Sequence, residues 1–200
     1  DLRKKSKLSI GEWEVDPADP EDRARVANDR KRSFSGQASE QDEDRHIVQF
    51  IGPVKREWLQ ALSKLGVQFL RYYPDYAYLV RASASVLEQV NGNLVVRGVI
   101  PYTPGFKKSP EVRMLMEDED SSGEDIKIEI VVTLDAADDA SISAFQKRAE
   151  ALGASIQHED RQTGGFPLFL VQASIAIIDD IASIPSVYAI DRLCRLKDED

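Results

Sequence analysis

The stretch HIVQFIGPVKREWLQALSKLGVQFLRYYPDYAYLV, residues 46–80, holds apolar strand-like runs, an amphipathic helix and a proline hinge, with no obvious catalytic group. HIVQFIG reads as a strand. PVKREWLQALSKLG reads as a helix: Pro53 stands at its start, Trp58, Leu62 and Leu65 recur at helical spacing with Leu59 and Ala61 beside them, and Gly66 closes it. VQFLRYY is a second strand, and PDYAYLVRA turns at Pro74 and Asp75 into a third. SASVLEQVNG follows as a short helix, with Ser83 as candidate N-cap and Gly92 after its end, and LVVRGVIPY is a fourth strand. The order β-α-β-β-α-β predicts an α+β, ferredoxin-like unit: one antiparallel sheet with two helices on one face.

The same order returns after an acidic break. IKIEIVVTL reads as a strand, residues 140–152 as a helix ending at Gly153, and ASIQHED as a strand. RQTGG reads as a hairpin turn, FPLFLVQA as a strand, SIAIIDDIASI as a helix and SVYAIDRL as a strand. Gly153 lies 87 positions after Gly66, whereas Ala173 and Val187 lie 91 after Ala82 and Val96. The change of four falls in the middle hairpin, where insertions are best tolerated. Local texts match too, ALSKLGVQF beside RAEALGASI and AYLVRAS beside LFLVQAS. An internal duplication follows. The predicted organisation is a charged, disordered segment at 1–45 with a short helix over 21–31, a first unit at 46–107, an acidic linker at 108–125, a second unit at 126–192 and a tail at 193–200.

Composition bounds the function. The net charge is -9, and outside the N-terminal segment Lys and Arg are scattered, which argues against nucleic-acid or anionic-membrane binding. No apolar run approaches the roughly 18 residues of a membrane span. The sequence begins at Asp1 without a signal peptide, as expected of a processed or cloned fragment. The lone Cys194 excludes an intramolecular disulfide.

Candidate chemistry is sparse. His46 and His158 fall in different units and read as surface histidines at strand ends. Cys194 lies between Arg192 and Arg195 with no histidine close in sequence, and reads as a structural thiol. Gly164-Gly165 leads straight into a strand, so it is a hairpin turn and not a phosphate loop. Asp118, Asp120, Ser122, Gly123 and Glu129 occupy positions one, three, five, six and twelve of a calcium-loop template. Asp125 stands where that template is aliphatic and a strand follows, so the stretch reads as a solvated acidic linker. In RYYPDYAYLV, Tyr76 and Tyr78 are expected on one strand face and Ala77 and Leu79 on the other, where exposed aromatics could bind a partner or pack against the second unit. The basic and glycine pattern of RNA-binding sheets is missing.

HIVQFIGPVKREWLQALSKLGVQFLRYYPDYAYLVRAS, followed by VRGVIPYTPGFKKSPEV, resembles the N-terminal prodomain of subtilisin-like serine proteases of the fervidolysin type. The resemblance rests on the strand ending in FIGP, the W-L-x-x-L helix ending in LG, the YYPDYAYLVR hairpin and VIPYTPGFK after the fourth strand. It covers about residues 46–192, with the second unit as the second copy of a tandem prodomain. It implies a propeptide that assists folding of a protease domain in cis and then inhibits it by laying its tail, Arg192, Leu193, Cys194, Arg195 and Leu196 onward, through the substrate cleft. It also implies a secreted precursor and no cofactor. The ending KDED departs from a typical protease pocket and leaves the cleavage point open. None of the family's catalytic blocks, D-x-G, H-G-T or G-T-S-M-A, occurs here, so the fragment itself is not expected to be an enzyme. Two other readings stand beside this one: a tandem ferredoxin-like module binding a small ligand or regulating a partner, for which Gly52-Pro53 is the candidate turn, and a structural interaction domain of a larger secreted protein.

Overall fold

Gly66 and Gly153 take φ of +104° and +91°, each one residue past the C-cap of a helix. A Cβ is disfavoured in that left-handed region, so glycine turns the chain out of both helices. The computed structural model in which they stand describes residues 7–33, 44–117, 127–135, 137–161 and 166–193. The chain divides into two units after Phe106.

In the first unit, β1 (Leu8–Ile10) and β2 (Trp13–Val15) form a hairpin, followed by α1 (Pro20–Ser33). Then come β3 (Asp44–Phe50), α2 (Arg56–Lys64), β4 (Gln68–Tyr73), β5 (Ala77–Ala82), α3 (Ala84–Asn91) and β6 (Val96–Pro101). A short α4 (Pro104–Lys107) straddles the division. In the second unit, α5 (Pro110–Glu117) precedes β7 (Lys127–Leu134), α6 (Asp139–Ala151), β8 (Ser155–Asp160) and β9 (Leu168–Ser174). A 3-10 turn over Ile175–Ile177, α7 (Ile178–Ala182) and β10 (Val187–Arg192) complete it. The class is α+β. The sheet orders are β4-β5-β3-β6 and β10-β7-β9-β8, with every pairing antiparallel. Counted within each unit, both sheets place the strands fourth, first, third, second, the interleaving that a split β-α-β unit produces.

The duplication extends to irregularities. β4 and β8 match end to end 87 positions apart, and β6 and β10 match 91 apart. The register slips between Phe69 and Arg71 on β4 and, 87 positions later, between Ile156 and His158 on β8. A bulge at the same place in both edge strands is a shared feature of design, because a bulge bends and twists an edge and discourages further pairing. Burial repeats as well. Leu62 and Val67 correspond to Ala149 and Ala154, and Leu87 and Val90 to Ile178 and Ile181, all buried. Val48 faces Tyr78 as Val132 faces Phe169, so the first strands are 84 apart, and three residues enter between first strand and helix.

The two sheets differ in how many faces they bury. Along β9 buried and half-buried residues alternate, whereas β5 buries Ala77 and Leu79 on one face as well as Val80 and Ala82 on the other. The helix-side face of the first sheet packs Val48, Phe50 and Val80 under Leu62, Leu87 and Val90. The second face carries Ile47, Leu79 and Ile100, each at 0% exposure. It is covered by the N-terminal segment. Gly98 shares that face, by its register with Gln49, and a Cβ there would lie 2.4 Å from the Pro17 carbonyl oxygen. Leu8, Ile10, Val15 and Val26 are buried in turn. Trp13 meets the Phe106 ring edge-on at 5.2 Å and lies under the Arg25 guanidinium. Asp16 holds Arg97 through both carboxylate oxygens, at 2.5 and 2.8 Å, and Arg97 also donates to Gln49.

Four expectations are corrected. Residues 7–33 form a layer of the first unit and are not a disordered tail, because a period-2 hairpin supplies the apolar side chains that the open sheet face needs. α1 also outruns the expected 21–31; Asp19 begins it, accepting from the Glu21 amide at 2.8 Å, with Pro20 in the first turn. Residues 108–117 are not linker: α5 belongs to the second unit, with Val112 in its core. Leu65 is exposed, since the helix ends before its side chain can reach the sheet. Ser83 is the N-cap of α3 as expected, with extended backbone, and its hydroxyl engages Ser85 without making a cap bond. The expected acidic run 118–126 and the turn at 162–165 lie outside the described residues.

Two outcomes follow for stability. Gly98→Ala forces Pro17 off the sheet and is expected to cost about 1–3 kcal/mol in denaturant titration, while Gly52→Ala, whose Cβ meets nothing within 4 Å, stays within about 0.5 kcal/mol. The Asp16 carboxyl is held below its usual value, chiefly by the Arg97 hydrogen bonds, with burial opposing and the Ala18 amide adding. A depressed acid contributes stability above its unfolded pKa, which is lost as pH falls through the folded value. Asp16→Asn should therefore cost about 1–3 kcal/mol at neutral pH, and the difference from the parent should vanish in acid below the ordinary carboxylate range.

Candidate functional site

The C-terminal strand β10 lies at an edge of its sheet. Its inner side pairs with β7, from Val187 opposite Leu134 to Arg192 opposite Ile130. Leu193 continues the ladder, its amide donating to the Glu129 carbonyl at 3.2 Å. Among the described residues, the outer side is occupied only in part. Lys108 lies beside Ile190 in a parallel bridge, and the Ser109 amide donates to the Ile190 carbonyl at 3.0 Å. Two lysines pin this segment: buried Lys107 donates to the Ile184 carbonyl at 3.1 Å, and Lys108 pairs with Asp179. Main-chain groups alternate sides along a strand, so those of Arg192 point outward, as do those of Ile190. Arg192 is thus the residue at which the chain presents its main chain to the outside of the sheet edge.

Asp191 stands beside this point. Its carboxyl is raised above the usual range, first by desolvation and second by the charge of Glu111 at the start of α5.

Of the sequence-predicted tail, Arg192 is exposed and Leu193 half-buried, while Cys194, Arg195 and Leu196 lie outside the described residues. Of the calcium set, Glu129 sits half-buried in β7, and Asp118, Asp120, Ser122 and Gly123 lie outside the described residues. The structure brings Glu129 and Leu193 together through the main chain. Among the described residues no group of three or more His, Cys, Asp or Glu is placed to hold a metal ion. No described helix is long and apolar enough to cross a membrane. His46 lies inside β3 in register with Val80 and Pro101, and is half-buried instead of a surface residue at a strand end. His158 is exposed on β8.

The tyrosines also part from expectation. Tyr78 is packed on the helix side among Phe50, Phe69 and Tyr72. Tyr76 belongs to the hairpin turn, where it and Asp75 take φ of +62° and +61°. Such values are uncommon for a bulky residue, and two hydrogen bonds hold the turn, from the Phe50 amide to the Tyr76 carbonyl and from the Gln49 side chain to the Asp75 carbonyl. Tyr76 stays exposed, as do Ile51 and Leu94 at the same end of the sheet. That apolar end was not legible in the sequence, because it gathers one residue from the segment flanking each of three neighbouring strands.

Residues 9–103 match the model of a family described as a domain of unknown function, DUF8729. The matched region runs from within β1 to just past β6 and so takes in α1 and the whole first sheet. No curated protein matches the chain.

A raised acid binds its proton more readily folded than unfolded, so its effect on stability turns unfavourable as pH rises through and above the ordinary carboxylate range. Asp191→Asn is expected to raise the melting temperature at pH 7, and the gain should disappear in acid where the carboxyl is protonated in both states.

Proposed function

We propose that the chain is a propeptide region of a subtilisin-like serine endopeptidase, assisting folding of the protease domain and occupying its cleft. The observation that carries this reading is the outward-facing main chain of Arg192 near the end of the edge strand β10. A peptide leaving an edge strand with its outward amide and carbonyl presented can add to a partner's strands by main-chain hydrogen bonds. The partner would be the catalytic domain in cis, and the region beginning at Arg192 and Leu193 would enter the cleft. The rest of the chain acts as a preordered scaffold: an exit fixed by the β7 ladder and by the lysine-pinned segment 107–109 loses little entropy on binding. No step of covalent chemistry is asked of this chain.

The reading is tested by inhibition. The chain is titrated against the cognate mature protease or, in its place, a generic subtilisin, alongside Arg192→Pro and a truncation lacking residues 194–200. Proline is tolerated where an edge strand's N–H faces outward, so Arg192→Pro should keep its circular dichroism while its inhibition constant rises about tenfold, the worth of roughly one such hydrogen bond. The truncation should abolish inhibition. An intact chain that neither inhibits the cognate protease nor speeds its refolding would sink the proposal.

A further inference from the structure

Asp75 and Tyr76 both take left-handed φ, +61° and +62°, in the short turn that joins Tyr73 to Ala77. That region suits glycine and asparagine, and neither stands here. Such a turn persists only where its surroundings over-determine it. Both residues have their carbonyls held from β3: the Phe50 amide donates to that of Tyr76 at 2.9 Å, and the Gln49 side-chain nitrogen donates to that of Asp75 at 3.1 Å. The first bond runs from main chain to main chain. The second depends on which way a buried amide side chain is turned.

What turns it comes from the N-terminal layer. Arg97 donates to the Gln49 side-chain oxygen at 2.9 Å. A guanidinium has donors and no acceptor, so Gln49 must offer it the oxygen, which leaves the nitrogen for Asp75. Arg97 is the extra residue of a β-bulge, between Gly98 opposite Gln49 and Val96 opposite Phe50. A bulge re-aims a side chain, and the Arg97 nitrogen that meets Gln49 also meets Asp16 at 2.5 Å, while its second nitrogen meets the other carboxylate oxygen at 2.8 Å. Asp16 is itself fixed: its amide donates to the Asp22 carboxylate at 2.8 Å, and its own carboxylate accepts from the Ala18 amide at 2.9 Å. A continuous chain of hydrogen bonds therefore leads from Asp16 through Arg97 and Gln49 to the backbone of the turn. Gln49 is buried and the Asp16–Arg97 pair largely shielded, so the bonds polarise one another with little competition from water.

The second unit keeps the bulge and not the chain of bonds. Tyr188 stands at the bulge, 91 positions after Arg97, and Thr133 stands 84 positions after Gln49. The relay belongs to the unit that carries the N-terminal layer. We propose that docking of residues 7–33 sets the geometry of the β4–β5 turn through this relay, so that the exposed end formed by Tyr76, Ile51 and Leu94 is held in one fixed form only while the layer is in place. Asp16, Arg97 and Gln49 are positioning residues for Tyr76. The two-state element is the turn itself, left-handed when the relay is complete and relaxed when it is broken. The coupling rests on the first unit alone and stands whether or not the chain is a propeptide.

The test uses the full chain, isotopically labelled, and reads the nuclear Overhauser effect between each residue's own amide and Hα protons, which is strong only at positive φ. The parent should show it at Asp75 and Tyr76. Gln49→Leu breaks the relay at its centre and Asp16→Ala at its far end, and both should weaken the effect at Tyr76 several-fold. Cross-strand contacts between Phe69 and Val80, further along the same hairpin, should persist in both. Should Asp16→Ala not fold, Asp22→Ala takes its place, acting on Asp16 through its amide. An unchanged effect in both variants overturns the proposal. So does a loss in Gln49→Leu with none in the layer variant, which would make the turn a local matter. Loss of the Phe69–Val80 contacts along with it would show the hairpin opening as a whole and would overturn the proposal equally.

Discussion

An antiparallel sheet has two faces, and helices joined by split β-α-β connections can cover only one. That constraint organises the first unit. Ile47, Leu79 and Ile100 point away from α2 and α3, and leaving them in water would cost roughly 25 cal/mol for each Å² of apolar area. The N-terminal hairpin and α1 remove that cost. Gly98 permits their approach and the Asp16–Arg97 pair sets their register. The ion pair is partly shielded, so its worth lies more in fixing one docking geometry than in net stability.

The second unit answers the same constraint differently. Its core is complete on the helix side, where Phe145 and Phe169 meet at 4.9 Å, and its other face is left half-buried with carboxylates around an apolar centre. Duplication copied the fold down to the edge-strand bulge, while the outward-facing positions diverged. Core positions are held by packing density, so they keep apolar character even where Leu62 gives way to Ala149. Outward positions answer to whatever lies against them, and that is where the copies differ, as at Arg45 and its counterpart Glu129.

A scaffold with two four-stranded sheets and a pinned edge at its last strand is compatible with the proposed role of presenting main chain to a partner. The Lys108–Asp179 pair and the buried Lys107 bond fix the segment running along β10, and so decide where on that edge main-chain groups are left for a partner. The preorganisation is local and comes from main-chain geometry, which is why few distinctive side chains mark it.

The local pattern in the sequence determined the element order within the two repeats, the helix-ending glycines, the 87 and 91 offsets and most strand limits of those repeats. These depend on neighbours within a few residues, through backbone conformational preference and apolar periodicity. The sequence alone did not reveal the cover, since Asp16 and Arg97 are 81 residues apart and the charged run 12–25 resembles a solvated tail until a sheet face is placed under it. Nor did it show that Arg192 turns its main chain outward, which depends on the β10–β7 register and on Ser109 reaching Ile190. Tertiary structure decided those features because each depends on which distant strand lies beside which. A strand's own residues prescribe its alternation, and only its partners prescribe what each face meets.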